Sequence, residues 1–334
     1  MGTDLFASFF ALNLCRVGRQ NGGFFMTTKA AYKSRPRQKR NFREWWEDVG
    51  VTYAMLAPNL ILFAVFVIYP ILWTMRFMLF DYNGITQAEF TGLQNFTRAI
   101  HDQYWWNAVL NTLKIAGLKL LIEMPLALCL AVLLNSKIKG KGFFRGAFFL
   151  PSVTSMASMS LAFSFMFSPY NGIVNMLLKK WGLITGNISF LETPVSALIT
   201  VTAISIWQIF GQNVLLILSG LQNVPEDVYE SAQLDGANRL QIFFKITIPL
   251  IMPMFKIIMM LAIIGSLQVF DSVFLITGGG PNRATDVMAT NIYNYYFTSG
   301  SIPEYGYGAA LSFISSLIIG VITLLYLRMS RKED

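Results

Sequence analysis

Charge is scarce in this chain, and so are the residues that build metal and disulfide frameworks. Asp, Glu, Lys and Arg make up 13% of its 334 residues, about half the share of an ordinary soluble domain. There are two cysteines, Cys15 in the N-terminal tail and Cys129 inside an apolar run, so no disulfide scaffold or thiolate metal site is implied. A single histidine, His101, leaves a zinc hydrolase without a ligand set. No Gly-x4-Gly-Lys-[Ser/Thr] stretch occurs, so the chain carries no phosphate-binding loop of that kind. What is abundant is apolar: 54% of the residues are hydrophobic. They come in runs of about 20 or more between polar loops, the pattern of membrane-crossing helices. The sequence therefore describes an all-α polytopic membrane protein.

Six runs are long enough to cross a bilayer, at 53–80, 108–134, 146–168, 195–219, 255–277 and 306–327. Pro70, Pro125 and Pro151 fall inside them and are read as simple kinks, which membrane helices tolerate when neighbours satisfy the freed backbone groups. The net charge of +8 does not indicate nucleic acid, because the basic residues gather at the ends of apolar runs. They crowd the N-terminal segment from Arg16 to Arg43, the loop with Lys137, Lys139, Lys141 and Arg145, the loop with Arg239, Lys245 and Lys256, and the tail with Arg328, Arg331 and Lys332. Arg76, Arg98, Lys114, Lys119, Lys179, Lys180 and Arg283 lie in spans or in the opposite loops. This bias places both termini and the 220–254 loop in the cytoplasm, consistent with an even number of spans. The organisation expected is a basic cytoplasmic segment over 1–50, a six-helix domain over 51–330 with a cytoplasmic loop at 223–253, and a tail at 331–334.

A few polar residues sit where lipid would be. Lys119 and Glu123 are four residues apart in the second run, hence on one helix face. A central charge costs about 2.5–3.5 kcal/mol to insert, so both must face protein or water. They are either part of a translocation path or a mutually neutralising pair at a helix contact. The Lys-before-Glu order is the weaker helical arrangement and leaves room for a third partner. Gln208, Gln212 and Asn213 accompany Trp207 in the fourth run, and Gln268 and Asp271 sit in the fifth. Polar groups beside an aromatic ring suit a sugar, whose hydroxyls need hydrogen bonds and whose C–H face packs on a ring. The alternative is hydrogen bonding between helices, commonly worth about 1 kcal/mol or less.

The 220–254 loop is oddly soluble-looking. Asn223 or Val224 reads as a helix cap, with Pro225 at an early helical position and Glu226 and Asp227 in the first turn. Tyr229, Ala232 and Gln233 have the spacing of one helix face, and Gly236 is placed to turn the chain. A second short helix over about 238–246 carries Leu240, Phe243 and Phe244, with Pro249 and Pro253 expected to stop or kink it. Such an elbow either offers a helix to a partner's groove or caps its own bundle.

The pattern Glu230-Ser231-Ala232, Gly236, then Ile246-x-Ile248-Pro249 resembles the EAA loop of bacterial ABC import permeases. Ser231 stands where the pattern has alanine, and Ile248 where it has leucine. Val269-Phe270-Asp271 followed by Thr277-Gly278-Gly279-Gly280-Pro281 is similar to the carbohydrate branch, the permeases for maltose, multiple sugars and glycerol 3-phosphate. Tyr305-Gly306-Tyr307-Gly308-Ala309-Ala310, Leu56-Ala57-Pro58 and Tyr69-Pro70 fit the same branch.

The resemblance spans roughly 51–330. It implies the transmembrane domain of a type I ABC importer with six spanning helices and both termini cytoplasmic. The chain would be no enzyme. Tyr229, Glu230, Ser231, Ala232, Asp235, Gly236, Ala237, Ile246 and Pro249 would form the loop that couples to a separate ATPase. ATP and magnesium would be held by that partner, with no cofactor bound by this chain. Implied partners are a second, different permease, a pair of ATP-binding subunits and an extracytoplasmic sugar-binding protein, in the bacterial cytoplasmic membrane. A secondary transporter would need paired discontinuous helices in repeated halves. A membrane enzyme would need a denser cluster than Asp271, Glu123 and Lys119.

The first 25 residues stand apart from this plan. Leu5–Leu14 is apolar but too short to span, and Met1–Asp4 lacks the basic flank of a signal peptide. Met26 follows Gly22-Gly23, whose codons can spell a purine-rich ribosome-binding site, so native translation is expected to begin at Met26. Intact-mass measurement checks this: the native protein should lack residues 1–25, and their retention would refute it.

Overall fold

The structure is a computed structural model that describes residues 42–136, 138–297 and 302–331. They fall into two units that divide between Phe63 and Ala64. The expected start at Met26, most of the 1–50 segment and residues 332–334 of the tail lie outside the described residues.

The first unit is described as one helix, α1, Phe42–Phe63. From Val51 onward its apolar side chains are exposed almost throughout, on every face. A helix apolar all round is made for lipid or for a partner helix rather than for water.

The second unit opens with a π turn, Ala64–Ile68, followed by α2, Tyr69–Met75, and a 3₁₀ turn, Arg76–Leu79. A two-residue ribbon pairs β1, Phe80–Asp81, antiparallel to β2, Glu89–Phe90, with Phe80 opposite Phe90 and Asp81 opposite Glu89. Then come α3, Gln94–His101, and the 33-residue α4, Gln103–Asn135. Helices α5, Lys141–Val153, α6, Met156–Met166, and α7, Ile173–Lys180, precede α8, Pro194–Gln222. Next are α9, Glu226–Leu234, α10, Arg239–Ile242, a π turn Phe243–Thr247, and α11, Ile248–Leu267. Helices α12, Asp271–Ile276, α13, Met288–Phe297, and α14, Tyr305–Arg331, complete the unit.

Five stretches are long and apolar enough to cross a membrane: Gly50–Leu79, Gln103–Asn135, Pro194–Gln222, Arg239–Ile276 and Tyr305–Arg331. The sixth expected span, 146–168, is instead the pair α5 and α6, bent by 95°. The sequence reading of Pro151 as a simple kink is corrected here. Pro151 has no N–H for the preceding turn. The hydroxyls of Ser152 and Thr154 donate to the carbonyls of Phe149 (2.7 Å) and Leu150 (2.9 Å), the local competition that ends helices. Thr154 is extended, with φ −82° and ψ 140°, and α6 restarts on a new axis. Pro125, by contrast, lies within the unbroken α4.

Pro249 does not stop the elbow's second helix, also contrary to the expectation. The π turn Phe243–Thr247 precedes Ile248-Pro249, as the π turn Ala64–Ile68 precedes Tyr69-Pro70. Proline's ring collides with the carbonyl four residues back and offers it no donor. A wider turn just before the proline relieves both problems, and the helix runs on.

Helix α4 is the spine of the second unit. Its first turns hold Trp105 and Val109 against Met288, Tyr307 and Leu311. Ile115 meets Val201, Ile204, Val273, Ile276 and Val287 at mid-length. Met124, Ala127, Ala131 and Leu134 pack on Val214, Ile217, Leu221, Ile251 and Ile258. With no hydrophobic drive between helices in lipid, close backbone approach does much of the work. Gly211 of α8 shows it: a Cβ there would coincide with the Phe148 carbonyl of α5. Gly265 of α11 has open space around the same position. Gly211→Ala should therefore lower stability by about 3 kcal/mol through forced helix separation. Gly265→Ala should be neutral or stabilising by up to about 1 kcal/mol. Thermal unfolding of the two purified variants compares them directly.

Candidate coupling and permeation sites

The elbow is built from caps. Pro225, not Asn223 or Val224, is the N-cap residue of α9, and Glu226 and Asp227 occupy the first turn, where carboxylates favour the positive helix end. At the other end Ala237 N–H donates to Ala232 O and Gly236 N–H to Gln233 O, both at 3.0 Å. That pair of bonds is a Schellman turn with Gly236 at the C′ position, and its φ of 79° is one that a side chain resists. Asn238 then starts α10 with a capping box: Gln241 N–H donates to Asn238 Oδ1 (2.9 Å) and Asn238 N–H to Gln241 Oε1 (2.8 Å).

The caps fix which side chains are free. Ala232 is buried and Tyr229 and Ala237 are half-buried, while Glu230, Ser231, Gln233 and Asp235 are exposed. The expected common face of Tyr229, Ala232 and Gln233 is thus split, with Gln233 turned away from the other two. Leu234 is 88% exposed, and Leu240 and Phe244 also stand free. Ile246 is half-buried and Pro249 is exposed. The elbow follows directly on α8, whose Leu221 packs with Leu134 near the end of α4.

The charged pair of α4 lies in the interior. Lys119 is 3% and Glu123 1% exposed. Asn213 of α8 donates its side-chain amide to Glu123 Oε1, while Glu123 Oε2 faces Lys119 Nζ at 3.9 Å. The third partner that the Lys-Glu order left room for is this asparagine. Asn213 is buried and faces α4, whereas its neighbour Gln212 is exposed. Grouping the two at one sugar-facing surface is corrected on that ground: on a helix, adjacent residues point about 100° apart.

The other polar residues keep some exposure, each at its own place on α8 or at the break after α11. Trp207 is 46% exposed, its ring edge-on to Phe163 with centroids 5.3 Å apart. Gln208 is half-buried, and Gln212, Gln268 and Asp271 are exposed. Helix α11 ends at Leu267, and the chain resumes helix at Asp271, placing that carboxylate in the first turn of α12. Ser205 of α8 donates to the Ser272 hydroxyl at 2.7 Å within the core. This bond ties the break in the fifth span to the turn of α8 next to Trp207.

The Thr277–Pro281 glycines form a folded loop, not a phosphate cradle. Thr285 Oγ1 donates to Gly280 O at 2.6 Å and lies 2.7 Å from Thr277 Oγ1. Asn111 of α4 donates to Asp286 O at 3.1 Å, and Met288 N–H donates to Thr112 Oγ1 at 3.0 Å. The loop is stitched to the spine. The Asp286 carboxylate accepts from Thr290 and Asn291, and its burial pushes its pKa above the usual carboxylate range.

Sequence reasoning missed the cluster at the opposite end from the elbow, where Tyr295 and Tyr307 donate to Asp102 and Arg98 pairs with Glu304. Asp102 was legible as an N-cap before the long run. Arg98 and Arg283 stood out as basic residues on the wrong side for the charge bias, a signal that was present and unused.

Helices long and apolar enough to cross a membrane, an exposed helical elbow at one end and a broken helix with polar residues define the class of a multi-pass membrane permease. Residues 123–333 match the family described as binding-protein-dependent transport system inner membrane component, and the chain belongs to it. The trehalose/maltose transport system permease protein MalF of Thermococcus litoralis is 30% identical over 86% of this chain and 95% of its own length. The multiple sugar-binding transport system permease protein MsmF of Streptococcus mutans is 33% identical over 84% of this chain and 96% of its own. The fold matches a chain of a bacterial ABC transporter that imports the acidic polysaccharide alginate, with a TM-score of 0.74 and 27% identity, covering 86% of this chain and 98% of that one. That transporter is also known in complex with an alginate pentasaccharide-bound periplasmic protein. The chain is thus a multi-pass ABC import permease.

The inward geometry of Lys119 and Glu123 separates packing from permeation. Lys119→Met alone strands the carboxylate and should cost about 3–5 kcal/mol. Lys119→Met with Glu123→Gln should recover most of that loss and keep solute uptake within about twofold of wild type. A folded double variant without uptake would place the pair on the path instead.

Proposed function

We propose that this chain moves a carbohydrate, or a related polyol, across the bacterial cytoplasmic membrane as one half of a permease pair. The second half is a different permease subunit, and a pair of ATP-binding subunits supplies ATP hydrolysis with magnesium. An extracytoplasmic sugar-binding protein delivers the solute. Both termini and the elbow lie in the cytoplasm, with residues 1–50 as a basic cytoplasmic segment and 51–330 as the membrane domain.

The observation that carries the coupling role is the elbow itself. A capped helix that leaves Leu234 88% exposed at a bundle end is built to enter a groove. Glu230, Ser231, Asp235 and Gly236 flank that contact, with Tyr229, Ala232 and Ala237 holding the helix to the bundle. Ile246 and Pro249 belong to the helical run into the fifth span, so a push on the elbow reaches the membrane through unbroken helix. The candidate solute face is Trp207, Gln208, Gln212, Gln268 and Asp271, exposed where a second permease would complete a cavity. The carbohydrate assignment is supported by this polar-aromatic surface and by the named sugar permeases among the relatives.

Gly236→Pro tests the coupling. Proline fixes φ near −65° where the chain needs 79°, and it deletes the N–H that closes the turn on Gln233. The variant should insert and assemble with the second permease, yet fail to co-purify the ATP-binding subunits in mild detergent. Unchanged uptake in this variant would refute the role.

A further inference from the structure

The end of the unit opposite the elbow carries a charged cavity. Asp102 caps α4, accepting from Tyr104 N–H (2.9 Å) and Trp105 N–H (3.3 Å) through Oδ1. Its Oδ2 accepts from Tyr307 (2.7 Å) and Tyr295 (3.2 Å). Burial, with the Asp102 charge beside it, pushes Tyr295 up to about 12, so it remains a donor in this network. Arg98 pairs with Glu304 and lies 4.0 Å above the Tyr307 ring. These charges are all spoken for.

Arg283 is different. Its guanidinium sits 4.3 Å above the Tyr104 ring. The Asp286 carboxylate accepts from Thr290 and Asn291 and feels the Arg283 charge without bonding to it, and no described residue forms an ion pair with the guanidinium, so its five N–H donors keep their capacity. Its backbone is pinned: Asn111 donates to its carbonyl (3.4 Å), as does Asp286 N–H (3.2 Å), and its φ is 60°. A strained arginine held by the spine and left with a free head is a sign of function. His101 engages Thr97 O through Nδ1 and leaves Nε2 open. Arg98, His101, Asp102, Tyr104, Arg283 and Tyr295 line a shared open cavity of about 470 Å³.

We propose that this cavity receives a carboxylate side chain of the extracytoplasmic binding protein, with Arg283 as its counter-charge and His101 Nε2 as a second contact. The proposal rests on the importer reading above. The family is defined by dependence on a binding protein. The cavity lies at the far end of α4, about 50 Å from the elbow by helix length, where such a protein would land. Its open charge is the guanidinium of Arg283, whose fork matches a carboxylate.

The test uses the assembled transporter in phosphatidylcholine nanodiscs, titrated with the sugar-binding protein that stimulates its ATPase. Arg283→Asn removes the charge while suiting the left-handed backbone. Half-maximal stimulation should require about tenfold more binding protein, with the plateau reached at high concentration and a weaker salt dependence. His101→Gln should shift the same midpoint in the same direction, less strongly. An unchanged midpoint in Arg283→Asn, with wild type responding, overturns the proposal. So does a shift that appears only when phosphatidylglycerol is added, which would assign the cavity to a lipid headgroup. A wild-type complex that no binding protein stimulates overturns the importer reading, and this one with it.

Discussion

The structure turns on one buried carboxylate. Glu123 is 1% exposed in the interior of the second unit, so its charge must be met by protein. Lys119 on the same helix supplies the counter-charge, and Asn213 from α8 supplies the hydrogen bond. That bond fixes α8 against α4 in rotation as well as in distance. With α8 so oriented, Gly211 turns to admit the backbone of α5, and Ser205 turns to hold Ser272 of α12. Trp207 and Gln212 are among the α8 side chains left exposed. A polar core thereby decides which polar residues are available to a solute.

The same spine relates the two ends. Helix α4 begins on the Asp102 cap, where Tyr295 and Tyr307 converge, and ends beside Leu221, just before the elbow. Helix α14 meets it there, through Tyr307 and Leu311 against Trp105 and Val109, and further on Ser330 accepts from Lys256 of α11 at 2.8 Å. The cavity beside Asp102 and the elbow therefore lie toward opposite ends of α4.

Much of this was legible in the sequence because it is local. Apolar runs located four spans to within about five residues, the fifth begins 16 residues earlier than expected, at Arg239, and Gly236 was legible as the turn of the elbow. What escaped was of two kinds. Contacts far apart in sequence leave no local mark: Asn213 meets Glu123 from 90 residues away, and Tyr307 meets Asp102 from 205. Pro151 and Pro249 were the other failure, since a proline's effect depends on what precedes and follows it. After a π turn Pro249 is tolerated, within α4 Pro125 passes unmarked, and ahead of Ser152 and Thr154 Pro151 comes just before a 95° bend.

The π turn at Phe243–Thr247 has a geometric consequence. It amounts to one residue more than an α-helix would need over the same rise, so everything beyond it is rotated by about 100° about the helix axis. Pro249, with no amide hydrogen to give back, keeps that offset from healing. The azimuth of Leu240 and Phe244 relative to Gln268 is thus set by residue count rather than by side-chain identity. A one-residue deletion between them would leave every contact chemistry intact and yet point the elbow a quarter-turn away from the direction it now faces.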